Sequence, residues 1–135
     1  MRKHAQDTAA KDKKEIQRLV REIVILRDGG CVLRGVRLCG GEVGKAVLQA
    51  DHLITRANSA TFADTRLIVC LCRPCHGGYK QWHKEKYDAL VKTVLDVDTV
   101  KLWERCQEDS WRPQKQDWKM HIVLLKKELE LLNKS

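Results

Sequence analysis

The stretch from Gln49 to His76 reads Gln49-Ala50-Asp51-His52, a polar loop, the strand-like Ile68-Val69-Cys70-Leu71, and then Cys72-Arg73-Pro74-Cys75-His76. Packing alone does not ask for carboxylate, imidazole and thiol groups around one short piece of chain. A Cys-x-x-Cys pair does ask for a metal, because thiolates at that spacing on a tight turn reach one ion. Working outward, 45–52 reads as a short strand ending at the Asp-His pair and 67–71 as a second strand. Cys72 to Cys75 is the knuckle, and Gly77-Gly78 is a flexible step into a helix beginning near Tyr79. Two strands, a knuckle and a helix form a ββα unit that carries Asp51 and His52 to the side of His76.

Upstream, the other half of a zinc site is present in expanded form. Cys31 and Cys39 are separated by seven residues rather than two, and Cys39-Gly40-Gly41 supplies the glycine that lets backbone N–H groups approach a thiolate. With Cys72 and Cys75 they make a four-cysteine structural zinc site, and Arg34 and Arg37 ride on the loop between them. Two buried thiols at 31 and 39, unrelated to the second pair, are the alternative. Before this, Ile16, Leu19, Val20, Ile23, Val24 and Leu26 recur at helical spacing, which predicts a helix over 11–28 stopped by Asp28-Gly29-Gly30. Residues 1 to 10 lack an apolar period and are expected to fray.

Composition narrows the partners. The chain has 135 residues, only 5% aromatic and 33% charged, so a structural metal would support a thin core. A net charge of +8 spread along the chain suits a polyanion such as DNA, whose counterions are released on binding. No run is long enough to span a membrane, and Met1-Arg2-Lys3-His4 leads into polar sequence without a signal-peptide core. The expectation is therefore a cytoplasmic protein, in which Cys-x-x-Cys binds metal or does redox chemistry rather than forming disulfides. Cys70 and Cys106 are left over as buried small side chains.

The C-terminal part is helical. Trp82, Tyr87, Leu90, Val91 and Val94 form a core stripe, with core favoured over base stacking for Trp82. A short helix follows over 97–106 with Asp96 or Asp98 as N-cap, and Ser110-Trp111-Arg112-Pro113 breaks it. Trp118, Ile122, Leu125, Leu129 and Leu132 then make a heptad-like seam, which either packs back on helix 11–28 or forms a homodimer through the C-terminal helix. The fold class read from the chain is α+β and mostly helical. It is one domain over 1–135: the N-terminal helix 11–28, a zinc-stapled ββα core over 31–84, and a helical C-terminal extension over 85–135.

Asp51-His52 followed by Cys72-x-x-Cys75-His76, with Lys80 shortly after, resembles the HNH (ββα-metal) endonuclease superfamily over about residues 24 to 84. The resemblance implies His52 as general base, with Asp51 and His76 as ligands of a catalytic divalent ion. The pattern of the C-terminal helices is similar to that of the phage Rap/NinG recombination nucleases, which act on branched DNA. That likeness would place the protein in a bacterial host cell.

The residues themselves suit that chemistry. Phosphodiester hydrolysis needs an activated water and a cation on the phosphate oxygens. An imidazole accepts a proton near neutral pH, and an oxygen-plus-imidazole set suits Mg²⁺, Mn²⁺ or a similar ion. His83 is a candidate third ligand if the chain bends at Gly77-Gly78. Arg34, Arg37, Arg56, Arg73 and Lys80 are candidate DNA contacts, against a background of solvated surface charge. One departure stands out: Leu67 occupies the position where the family has the asparagine that orients the base. Either Asn58 or a backbone group replaces it, or catalysis is weakened and the protein is a zinc-knuckle nucleic-acid-binding module. Two function classes follow, a metal-dependent DNA endonuclease and that binding module.

Overall fold

The computed structural model describes residues 2–36, 48–56, 58–109 and 115–134. Cys39, Arg37, the first part of the predicted strand 45–52, and Ser110-Trp111-Arg112-Pro113 lie outside the described residues.

The chain is mostly helical around one small antiparallel ribbon. Helix α1 spans Arg2–Asp28, strands β1 and β2 span Leu48–His52 and Ile68–Cys72, and the helices α2 to α5 span Lys80–Trp82, Lys84–Val94, Val97–Asp109 and Trp118–Asn133. α1 begins well before Lys11. Ala5, Ala9 and Ala10 are strong helix formers and nothing before Gly29 breaks the run, so the expected frayed end is helical. At the other end Gly29 takes φ 70°, the left-handed geometry that turns the chain out of α1.

β1 and β2 pair in the register Leu48↔Cys72 to His52↔Ile68. β2 is buried along its whole length, because α1 covers the ribbon with Ile16, Leu19, Val20, Ile23 and Val24. Arg27 and Asp28 tie the end of α1 to it. Arg27 donates to the carbonyls of Thr65 and Ile68 at 2.7 and 2.6 Å, while the Asp28 carboxylate accepts the Cys70 N–H at 2.9 Å. The Val32 N–H then reaches the Cys70 carbonyl at 2.9 Å, setting Cys31 beside β2.

The chain from the knuckle onward is helical rather than flexible. Pro74–Tyr79 forms a π-helical stretch that passes directly into α2, and Gly77 and Gly78 have open space where a Cβ would stand. The break comes later, at His83, with φ −137° and ψ 53°.

Tyr87 and Val91 are buried as the stripe predicts, but Trp82 is 79% exposed and Val94 is also exposed. Trp82 ends α2, and the break at His83 separates it from the helix that buries Tyr87 and Val91, so the stripe does not continue through it. The Asp96 side chain accepts the Thr99 N–H at 2.8 Å and so caps α4, whose Trp103 is the largest fully buried side chain.

The seam of α5 packs on α1. Leu125 is buried, and Trp118, Ile122, Leu129 and Leu132 are half-buried against the core. The exposed apolar residues of α5 are Met120, Val123, Leu124 and Leu131, which lie off that seam. Among the described residues, no helix is long and apolar enough to cross a membrane.

Candidate metal and catalytic site

Three of the four predicted zinc ligands come together. Cys31, Cys72 and Cys75 are buried, with their sulfur atoms all within 4.8 Å of one another. In a tetrahedral zinc site sulfurs stand about 3.8 Å apart, given a Zn–S bond of about 2.3 Å, so the cluster matches a thiolate site in residue type and size. Burial pushes the Cys75 thiol well above its ordinary value, and hydrogen bonding to Cys72 and the neighbouring Cys31 push it the same way. A bound cation reverses that logic, because a coordinating thiol is deprotonated outright. Cys70, two residues before Cys72 on the same face of β2, is not part of the cluster. Burial, with Asp28 and Cys31 nearby, raises its thiol to about 12.

Asp51 stands at the far end of the ribbon, only 2% exposed. Three groups converge on its carboxylate. Lys80 Nζ lies 2.5 Å from Oδ1, His76 Nε2 lies 3.4 Å from the same oxygen, and the Tyr87 hydroxyl donates to Oδ2. Burial alone would raise the Asp51 carboxyl, but the hydrogen bonds from His76, Lys80 and Tyr87 outweigh it and hold the group below the usual carboxylate range. Two ligand atoms on adjacent positions of a small octahedral ion stand about 3 Å apart, so the 3.4 Å between Asp51 and His76 fits a shared cation. Lys80 neutralises the same oxygen, and that ammonium would have to shift for an ion to enter. Instead of extending free toward solvent, Lys80 is drawn inward.

His52 is held by the backbone. Its Nε2 lies 2.9 Å from the Phe62 carbonyl, and its ring sits 5.7 Å from the Phe62 ring. A carbonyl only accepts, so Nε2 carries the proton and, in the neutral ring, Nδ1 is the acceptor. Burial pushes the His52 imidazole below its ordinary value; the Phe62 carbonyl opposes this, and the positive charge of Arg56 adds to it. His52 is therefore kept neutral around pH 7, as a proton acceptor must be.

The loop that presents Phe62 is built from local turns. Asn58 caps the 3-10 turn Ser59–Thr61 by accepting the Ala60 N–H at 3.0 Å, and Asp64 caps the next turn, Thr65–Leu67. Trp118 of α5 meets the Phe62 ring edge-on at 5.5 Å. Leu67 itself is buried, and its carbonyl accepts the Leu53 N–H. Thus the side chain is core, while Phe62 supplies the backbone partner for His52 and Asn58 the loop cap. Neither Tyr87 nor Trp118 could be assigned to the site from sequence. Tyr87 reads as one more residue of an apolar stripe, and Trp118 is sixty-six positions from His52.

Asp51, His52, His76 and Lys80 line one cleft of about 780 Å³, together with Gln17, Arg21, Gln49, Arg56, Lys84 and Gln107 among others. Among the described residues, four cationic side chains, Arg21, Arg56, Lys80 and Lys84, line it with the carboxylate of Asp51; Arg21 also donates to the Leu48 carbonyl at 3.1 Å, and Lys84 pairs with Asp88 at 2.7 Å. Arg21 and Lys84 were not among the residues predicted for the site. Arg34 lies elsewhere, donating to the Cys31 carbonyl at 2.9 Å, and Arg73 is exposed ahead of the π-helical stretch. His83 is not brought to the carboxylate: its ring meets that of Tyr79 at a tilt, with centroids 5.6 Å apart, and lines a separate groove with Pro74, Gly78 and Trp82.

Compared with family models, curated proteins and solved structures, the chain finds no match in any of the three.

Proposed function

We propose that the protein is a metal-dependent DNA endonuclease of the HNH type, with one structural zinc and one catalytic divalent ion. The observation that carries this reading is the convergence of Asp51, His52 and His76 in a basic cleft, with His52 Nε2 committed to a carbonyl. In this mechanism His52 Nδ1 takes the proton of the attacking water. Asp51 and His76 would hold a divalent ion such as Mg²⁺ or Mn²⁺, which supplies charge stabilisation at the phosphate oxygens. Tyr87 fixes Oδ2 of Asp51 so that Oδ1 faces the cleft. Arg21, Arg56 and Lys84 bind the flanking phosphates, and Arg34 and Arg73 extend the basic surface beyond it. Zinc would be held by Cys31, Cys72 and Cys75 with Cys39 as fourth ligand. DNA is the substrate, and branched recombination intermediates or phage DNA are the substrates the resemblance favours.

The alternative, a nucleic-acid-binding module that has lost catalysis, draws on the Lys80–Asp51 ion pair and on Leu67. A cleavage panel separates the two. Linear duplex, flap and four-way junction are offered to the wild type and to His52→Ala with Mg²⁺, Mn²⁺, Co²⁺ or Ni²⁺. The nuclease reading expects metal-dependent cutting that falls by about 10²- to 10⁴-fold in the variant, with zinc content and fold retained. Tight binding without cutting under every metal would replace it with the module, and cutting unchanged in His52→Ala would overturn the assigned base.

A further inference from the structure

The helical run that begins at the knuckle has two functional faces, and the cleft uses one of them. His76, Lys80 and Lys84, spaced four apart, line the cleft. Pro74, Gly78, Tyr79, Trp82 and His83 line a groove of their own on the other side. Lys80 and Trp82 are two residues apart in α2, about 200° around the helix. Trp82 is 79% exposed, the most exposed of the large apolar side chains described, and the tilted ring pair Tyr79–His83 lines the same groove. A tryptophan left in water beside two more aromatic rings contributes little to folding and presents a flat apolar face for binding.

The surrounding charge indicates the class of occupant. Residues 73 to 86 carry Arg73, Lys80, Lys84 and Lys86 against Glu85, with Lys80 paired to Asp51 and Lys84 to Asp88. Aromatic rings interleaved with cations match a nucleic-acid strand, whose phosphates meet the cations while a base covers the ring. The ridge between groove and cleft is one helix, about 10 Å across, so a few nucleotides suffice to round it. Bases inside a duplex offer only their edges to the grooves, whereas an unpaired base offers the π-face that an indole requires.

We propose that Trp82, with Tyr79 and His83, is a stacking subsite for an unpaired nucleobase of the DNA strand whose phosphates lie in the Asp51–His52 cleft. The subsite rests on the nucleic-acid-binding part of the proposed function and adds a ligand contact that the catalytic residues do not provide.

The test is equilibrium binding of the full-length protein without divalent metal, followed by cleavage with it. Three DNAs of equal length are compared: a paired duplex, a duplex with a short unpaired tract, and the same tract made abasic. The wild type is expected to bind the unpaired tract about tenfold more tightly than the duplex, the scale of one aromatic–base stack. Trp82→Ala or the abasic tract removes that preference, the two changes together remove no more than either alone, and Trp82→Phe restores part of it. The slope of affinity against salt should stay the same in Trp82→Ala, since no phosphate contact is lost.

A preference that survives in Trp82→Ala, or an equal loss on all three DNAs, would overturn the subsite while leaving the nuclease reading intact. Trp82-dependent binding without cutting would sustain the subsite and remove the nuclease reading. Absence of binding to every DNA would remove both. Concentration-dependent self-association of the protein alone, abolished by Trp82→Ala in sedimentation, would assign the patch to a second copy of the chain and overturn the base-binding role.

Discussion

The Tyr87 hydroxyl donates to Oδ2 of Asp51, so a wholly buried phenol on α3 fixes a carboxylate at the end of β1. Tyr87→Phe keeps the ring and its packing and deletes only the donor. A hydrogen bond to a charged group contributes about 1.5–3 kcal/mol, and the variant should lose stability on that scale in denaturant titration. On the proposed mechanism cleavage should fall as well, with a weaker apparent affinity for the divalent ion, because Oδ2 of Asp51 loses its anchor. Full metal affinity in Tyr87→Phe would show that the phenol does not position the ligand.

Trp118 braces His52, the base of the proposed mechanism, from outside the ββα unit. Its edge-on contact fixes Phe62, whose carbonyl holds His52. A misplacement of about 1 Å at a catalytic group costs about 10²-fold in rate. Trp118→Ala should therefore lower kcat by tenfold or more while leaving the KM for DNA close to that of the wild type. Trp118→Phe should recover most of the loss. A change confined to KM would point to a DNA contact by Trp118 instead.

The cysteine cluster predicts a metal-dependent fold. One zinc per chain is expected by elemental analysis, and chelation or Cys72→Ser should lower stability on the order of several kcal/mol. Chelator-treated protein that melts at the same temperature as the metal-loaded form would remove the structural role from Cys31, Cys72 and Cys75.

Arg27 links α1 to β2 through the Thr65 and Ile68 carbonyls. Arg27→Ala should cost about 1.5–3 kcal/mol, the scale of hydrogen bonds to a charged group. Arg27→Lys should rescue little, because one ammonium cannot replace a planar fork bridging two carbonyls. Equal unfolding midpoints for wild type and Arg27→Lys would contradict that geometry.

Leu125 is the fully buried member of the α5 seam. Leu125→Ala should destabilise by about 2–5 kcal/mol through the cavity it leaves, seen as a lower unfolding midpoint independent of protein concentration. A midpoint that rises with concentration would instead mark the seam as a subunit contact.

The parts legible in the sequence are those whose signal is local. Ile16 to Val24 declare α1 by period, and Cys72-x-x-Cys75 declares the knuckle by spacing. Asp51, His52 and His76 are visible because their residue types are rare in so short a stretch. What the sequence hides is what depends on which surfaces meet. The partner of His52 is a main-chain carbonyl, which has no residue signature, and it arrives on a loop capped by Asn58. Tyr87 looks apolar until its hydroxyl is seen against Asp51. Trp82 was assigned to the core because hydrophobicity does not say which side of a helix faces inward. The separation of His83 from the carboxylate follows from a helix that runs on through Gly77-Gly78 and breaks only at His83.

Helix α1 serves two regions at once. Ile16, Leu19, Ile23 and Val24 fill the interior, while Gln17, Val20 and Arg21 form a wall of the cleft. The ββα segment is consequently not a portable cassette. Transplanted alone, it would take Asp51, His52 and His76 with it but leave behind one wall of the cleft and the side chains that bury β2. In engineering terms the transferable unit runs from α1 through α5, and reshaping the cleft means redesigning a helix remote in sequence from Asp51 and His76.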